Sequence, residues 1–297
     1  MTRVVLEHYL QQCKSRVEEV MESHLKERFE LAPPLYDAIS YSVFAGGKRL
    51  RPVLAYAAAQ ACGADKSVAD QAACAVEFIH TYSLIHDDLP PMDDDDLRRG
   101  KPTCHKVFGE DVAILAGDAL NTLAFQVLSE GDSPAASTQL RMINILSRAS
   151  GYMGMIGGQA FDLASEGQEI GLEQLEQMHS LKTGALIRAS VQLGALNVEG
   201  VIDQQLYRLD LYAAQIGLAF QIKDDILDIE GDTATLGKTQ GADLAKQKAT
   251  YPALLGLEQA KQKMMGCYQQ ALDALEPFGS DAEYLRLLAA YFIERKY

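Results

Sequence analysis

The sequence predicts one all-α domain over residues 1–297, a bundle of about ten or more helices around a central cavity with sites between helices. Three observations predict it. Apolar residues recur at helical spacing through most of the chain; strand-like alternation bounded by turn signals is scarce; and neither a repeat of about 20 to 50 residues nor a shift in composition divides the chain. With 48% apolar residues the chain can bury a substantial core.

From residue 3 to about 29, Val5, Tyr9, Leu10, Cys13, Val17, Val20 and Met21 fall on one stripe with charges between them, an amphipathic helix. Pro33 and Pro34 suit the first turn of a second helix, which runs through Tyr36, Ile39 and Phe44 and stops at Gly46 and Gly47. Pro52, after the cations Lys48, Arg49 and Arg51, opens a third. A long helix runs from about Val68 to Leu89 and breaks at Pro90 and Pro91. Ala113–Leu128 and Leu140–Ala149 also read as helices. The segment GYMGMIGGQAFDLASEG, Gly151 to Gly167, is dense in glycine yet apolar, which predicts a helix packed closely on a neighbour. Residues 172–196, 201–229, 251–275 and 282–295 continue the period.

The formal net charge of −14 argues against nucleic acid as a partner, because that binding rests on Lys and Arg at phosphates. A small polyanion still binds an acidic chain if metal ions reverse the local sign. Cys13, Cys62, Cys74, Cys104 and Cys267 are odd in number and dispersed, with no C-x-x-C pair, and read as reduced thiols. The N-terminus has no apolar signal core, and no run of about 18 uncharged apolar residues occurs. A soluble, cytoplasmic protein without membrane insertion is expected.

The chemistry concentrates in His80 to Lys106, where Asp87, Asp88 and Asp93 to Asp96 precede Arg98 and Arg99. Carboxylates so close repel one another unless cations neutralise them, and their hard oxygens suit Mg²⁺, which usually also takes substrate phosphates. A guanidinium fork matches phosphate oxygens. Alone, an acidic run after Pro-Pro is more often a solvated loop. A second cluster, Asp224, Asp225 and Asp228, changes the weighing: Asp224 and Asp228 are four apart and share a helical face. Both clusters end long helices, where the dipole already disfavours negative charge. Each is followed by cations beside glycine: Arg98, Arg99 and Lys101 in one case, Lys238 in the other.

GGKRLRP, DDLPPMDDDDLRRGKPT, LKTGAL and KDDILD lie in that order between about Pro34 and Tyr251. In this set the chain resembles the trans-prenyl diphosphate synthases, specifically the bacterial farnesyl diphosphate synthases (geranyltranstransferases). The resemblance implies an isoprenoid-synthase-type bundle, a homodimer, and Mg²⁺, three ions per active site with Mn²⁺ as a substitute. It implies condensation of isopentenyl diphosphate with dimethylallyl and then geranyl diphosphate. It would place Asp87 and Asp93 on two Mg²⁺ ions at the allylic diphosphate and Asp224 on a third, with Asp225 and Asp228 holding its waters. Arg98, Lys182 and Lys238 would grip that diphosphate, and Thr183 and Gln221 would lie along the reacting carbons. Lys48, Arg51, His80 and Arg99 would form a separate, metal-free pocket for isopentenyl diphosphate.

Helical geometry agrees: His80 and Asp87, seven apart, share a face with a rise of about 10 Å, which suits two neighbouring diphosphates. Tyr82, with Ser83 beside it, lies one and a half turns deeper than Asp87, where its ring would floor the growing-chain cavity. Family members with an aromatic there, and with the extra Pro90-Pro91 step, stop at fifteen carbons. Without context His80 would more often be a core histidine. Arg49 is read as a solvated helix start, His86 and Asp94 to Asp96 as loop support, and Gln159 and Asp162 as lying on one helical face outside the principal set. The tail Glu294 to Tyr297 is left open.

Rival readings differ in class. A geranyl or geranylgeranyl diphosphate synthase shares every motif. A phosphate-binding loop at GDTATLGKT has five residues, not four, between its first glycine and Gly-Lys-Thr, and a helical pattern before it. A class I terpene cyclase has no use for a second diphosphate pocket. A helical scaffold that buffers cations would catalyse nothing.

Overall fold

The computed structural model describes residues 2–26, 31–130, 135–230 and 249–295. The first half of the chain forms α1 (Thr2–His24), α2 (Pro33–Val43), α3 (Leu50–Ala61), a 3₁₀ turn at Lys66–Ala69 and α4 (Asp70–Asp87). A small antiparallel hairpin, β1 (Leu97–Arg98) and β2 (Lys101–Pro102), precedes α5 (Cys104–Phe108), α6 (Glu110–Ser129) and α7 (Ala136–Ser150). Then come α8 (Met155–Ala164), α9 (Leu172–His179), a π-helical turn at Ser180–Gly184, α10 (Ala185–Leu196) and α11 (Asp203–Glu230). Last are α12 (Tyr251–Leu255), α13 (Leu257–Ala274), a 3₁₀ segment at Glu276–Ala282 and α14 (Glu283–Glu294).

The bundle is wound around α3, α4 and α10, which are apolar on nearly all sides. Ala55, Ala57, Ala58 and Ala59 of α3 and Ala72, Ala73 and Ala75 of α4 are buried, and small side chains let neighbouring backbones approach. The closest approach is at Gly194 on α10, where a β-carbon would stand 2.1 Å from the Ala55 carbonyl oxygen on α3. Gly194→Ala is therefore expected to destabilise the fold by about 2 kcal/mol net, overpacking strain exceeding the gain in helix propensity. A lower denaturant midpoint at unchanged m value would show it. Across the outside, Arg16 of α1 makes a two-pronged pair with Asp70 at the start of α4 (2.6 Å each), and Tyr56 of α3 donates to the same carboxylate at 3.0 Å.

Several boundaries differ from the sequence reading, each for a local reason. The 172–196 helix is two helices joined by the π turn, and 251–275 divides at Gly256. The helix expected from Val68 begins at Asp70, after the 3₁₀ turn. The hairpin was not expected, since two-residue strands carry no periodic signal. The glycine-rich segment does pack as expected: a β-carbon on Gly158 of α8 would lie 2.3 Å from the Lys182 backbone nitrogen. Helix α6 is long and apolar enough by length and composition to cross a membrane; it packs on α4 but leaves Ile114 and Leu115 exposed.

Candidate active site

Helix α4 carries the centre of the site. His80 sits two turns before its end and Asp87 closes it. Around His80 the charges are positive: burial first, then Arg51, Arg99, Arg98 and Arg49, hold its imidazole well below its ordinary value. A neutral ring ringed by guanidiniums is a donor and acceptor in an anion-attracting pocket. Burial also pulls Arg51 down to about 10, against the pull of Glu77, and Arg51 Nε is buried with no hydrogen-bond partner among the described residues. A buried guanidinium donor left over in this way fits a diphosphate oxygen. Arg99, in the left-handed region (φ 54), donates to the Gly46 carbonyl.

Arg49 is the clearest correction. It is 3% exposed, in left-handed conformation (φ 51), and bridges Glu77 of α4 (2.8 Å), Glu18 of α1 (3.1 Å) and the Val43 carbonyl (2.5 Å). It is a buried tie between three helices and not a solvated start. The ring of contacts fixes the loop 44–49, which carries Lys48 and leads into α3 with Arg51 in its first turn.

At the other end of the helix the sign reverses. Burial pushes the Asp87 carboxyl up to about 6; Lys182 opposes the shift, Asp93 adds to it, Arg98 opposes it and Asp88 adds to it. The Asp93 N–H donates to the Asp87 carbonyl at 2.9 Å, so the turn through Pro90 and Pro91 folds the second aspartate back beside the first. Asp88 is buried, and its Oδ1 accepts from Arg98 Nε at 2.6 Å, with Asp95 farther from the same guanidinium at 3.5 Å. Asp96 pairs with Lys106 at 2.7 Å. Asp88 thus orients Arg98, a role the sequence did not reveal. His86 reaches the Ile114 carbonyl of α6 at 3.1 Å and meets the Tyr82 ring edge-on.

The π turn supplies Lys182 and Thr183. Inserting one residue into the helical ladder rotates the following side chains, a device common at functional sites. Lys182 Nζ is 2.6 Å from Asp162 Oδ2 on α8, and the buried Gln159 Oε1 one turn earlier has no partner among the described residues. Asp162, kept outside the principal set in the sequence reading, is thus in contact with Lys182. Gln221 and Thr183 are partly buried.

The second acidic bank closes α11. Asp224 pairs with Arg295 at 2.6 Å, and Asp228 is partly buried. Asp225 is buried, and its Oδ2 accepts from the Tyr251 N–H at 2.9 Å, which anchors the first residue of α12. Burial and Arg295 lower the Lys48 ammonium while Asp224 raises it, so the start of α3 and the end of α11 share one electrostatic neighbourhood. Lys238 lies outside the described residues. Among the described residues no three carboxylate, imidazole or thiol groups converge at metal-ligand spacing. The donor chemistry nonetheless fits a hard divalent cation: Asp87 and Asp93 are juxtaposed oxygens, and Asp87 is short of neutralising charge.

Residues 32–278 match the family model described as polyprenyl synthetase. The chain is 55% identical over 267 residues to the farnesyl diphosphate synthase of Escherichia coli (strain K12), covering 88% of this chain and 89% of that one. It is 49% identical over 288 residues to the farnesyl diphosphate synthase of Haemophilus influenzae, 97% of each chain. Its fold matches the crystal structure of an FPP/GFPP synthase from Zymomonas mobilis at TM-score 0.88 and 39% identity, covering 99% of this chain and 100% of that one.

Proposed function

We propose, from the premise that this chain belongs to the polyprenyl synthetase family, that it is a (2E,6E)-farnesyl diphosphate synthase, a prenyltransferase that joins isopentenyl diphosphate to dimethylallyl and then geranyl diphosphate. The observation that carries the reading is the reversal of charge along α4. A neighbourhood around His80 and Arg51 in which the guanidiniums of Arg49, Arg51, Arg98 and Arg99 outweigh the buried Glu77 sits two turns from the carboxylates at Asp87 and Asp93. One end suits a bare diphosphate, the other a diphosphate bound through metal. A terpene cyclase needs only the second.

Asp87 and Asp93, together with Asp224 and Asp228, would hold Mg²⁺ on the allylic diphosphate, and Asp225 would steady the second bank. Bound there, the ions supply electrophilic stabilisation of the leaving diphosphate. Lys182, held by Asp162, and Arg98, held by Asp88, add fixed positive charge as the allylic C–O bond breaks heterolytically. Lys48, Arg51, His80 and Arg99 hold isopentenyl diphosphate so that its double bond attacks the allylic carbocation and forms the new C–C bond. Thr183 and Gln221 present oxygens to the cation. The departing diphosphate takes the proton that leaves the condensed product, so no protein nucleophile is required. Lys238 belongs to the same proposal through its motif. Cytoplasmic location, a single domain over 1–297 and three Mg²⁺ ions, with Mn²⁺ as a substitute, complete it.

Incubation with isopentenyl and dimethylallyl diphosphates and Mg²⁺, with and without chelator, is expected to give a fifteen-carbon product only when metal is available. A scaffold gives no condensation, and a cyclase consumes an added prenyl diphosphate without isopentenyl diphosphate. Product length tests a narrower point. Tyr82 is buried, and burial with the nearby Asp87 charge pushes its phenol up to about 12. Ser83 turns inward on its own helix, its hydroxyl donating to the His80 carbonyl at 2.9 Å. Tyr82→Ala is expected to shift the main product to twenty carbons or more; an unchanged distribution would remove the ring from that role. The exposed Ile114 and Leu115 on α6 support a homodimer with this face covered, and light scattering at the mass of two chains would bear it out.

A further inference from the structure

Each acidic bank contains an aspartate closely paired with an arginine, and the two pairs differ in kind. Asp88–Arg98 is enclosed, the carboxylate side chain 4% exposed. In Asp224–Arg295 the exposures are reversed: the arginine side chain is 8% exposed and the aspartate 42%. Arg295 follows directly on α14. Its guanidinium lies 3.9 Å from the centre of the Phe220 ring, Nη2 donates to the Phe220 carbonyl at 2.9 Å, and Nε donates to the Phe292 carbonyl at 3.2 Å. Phe220 and Asp224 are four apart on α11 and share a face. The cation is thus seated by a ring and two carbonyls, independently of the carboxylate.

This geometry has a directional consequence. If Asp224 turns to another cation, Arg295 keeps most of its seat; if Arg295 leaves, Asp224, the more exposed of the two, loses the cation that pairs with it. An ion pair with one partner this exposed is weak enough to be exchanged. We infer that Arg295 is a resident counterion of Asp224, which a divalent cation must displace before Asp224 can ligate it. Arg295 thereby lowers the metal affinity of the second bank in the substrate-free protein while its own seat on Phe220 and Phe292 is kept. The inference rests on the reading of Asp224 as a metal ligand. Lys48, which shares this neighbourhood, connects the exchange to the anion pocket at the start of α3.

Mn²⁺ alone, titrated into the substrate-free protein and followed by electron paramagnetic resonance, tests it without recourse to activity. Arg295→Gln is expected to bind Mn²⁺ about fivefold more tightly than the unaltered chain, and Arg295→Lys to fall between them. In an Asp224→Asn background, itself weaker for Mn²⁺, Arg295→Gln should change nothing. Equal or weaker binding by Arg295→Gln, or no detectable binding by either protein, overturns the inference. If Asp224→Asn weakens Mn²⁺ binding and Arg295→Gln leaves it unchanged, the counterion role alone falls; if Asp224→Asn has no effect, the ligand role of Asp224 falls with it. Arg295→Met, which keeps the packing on Phe220, serves if the glutamine variant unfolds.

Discussion

Asp87→Asn is expected to lower turnover about 10³-fold or more while making the metal-free protein more stable at pH 7. Both effects have one cause. The carboxylate is held where burial and neighbouring aspartates oppose its ionisation, which is where the leaving diphosphate would need a metal. With the folded value raised to about 6 from an ordinary 3.8, the folded chain retains a proton that the unfolded chain has already lost between these values. Stability contributed by this group therefore falls as pH rises from about 4 to about 6 and stays low at pH 7. Asparagine removes that slope and returns roughly 3 kcal/mol at neutral pH, while below about pH 4 the two proteins should be alike. Adding Mg²⁺ with inorganic diphosphate should reverse the order, because only the unaltered chain gains from binding. Thermal midpoints from pH 4 to 8, with and without metal, check each part; a variant less stable at pH 7 without metal would contradict the account.

The second large effect is on the metal-free diphosphate. Arg51→Gln should raise KM for isopentenyl diphosphate about 10- to 100-fold and change KM for the allylic substrate by no more than a few-fold, since a charge-assisted bond to one ligand is lost. Removing this guanidinium also removes the largest charge holding the His80 imidazole down, so its titration should move upward in the variant. Proton NMR of the ring through a pH series reads that shift directly. Equal losses for both substrates would mean that Arg51 does not distinguish two pockets.

Most of the helices were legible because their apolar stripes face a common core, but the places where the reading failed share a physical reason. Lys182 and Thr183 were assigned to an unbroken helix, since a single inserted residue barely disturbs a 3.6-residue period; only the coordinates reveal the π turn. Arg49 looked like its neighbours Lys48 and Arg51, because a run of cations does not say which one turns inward. Its partners Glu18 and Glu77 lie 31 and 28 residues away in sequence. Asp225 reads as one member of an acidic motif, yet it anchors Tyr251 across a separation of 26 residues. The contact between Asp162 and Lys182 was not legible although the GQAFD pattern was visible, for want of any local sign that α8 presses against the Lys182 backbone.

What the sequence determined alone was the helical architecture and the chemistry of the two aspartate clusters, because periodicity and charge repulsion act between near neighbours in the chain. What only the tertiary structure decided was which charges stay locked and which remain exchangeable. Asp88 and Arg49 are locked by burial, whereas Asp224 keeps an open side and a seated arginine. That division depends on solvent exposure and on partners brought in from distant helices, and these exist only once the chain has packed.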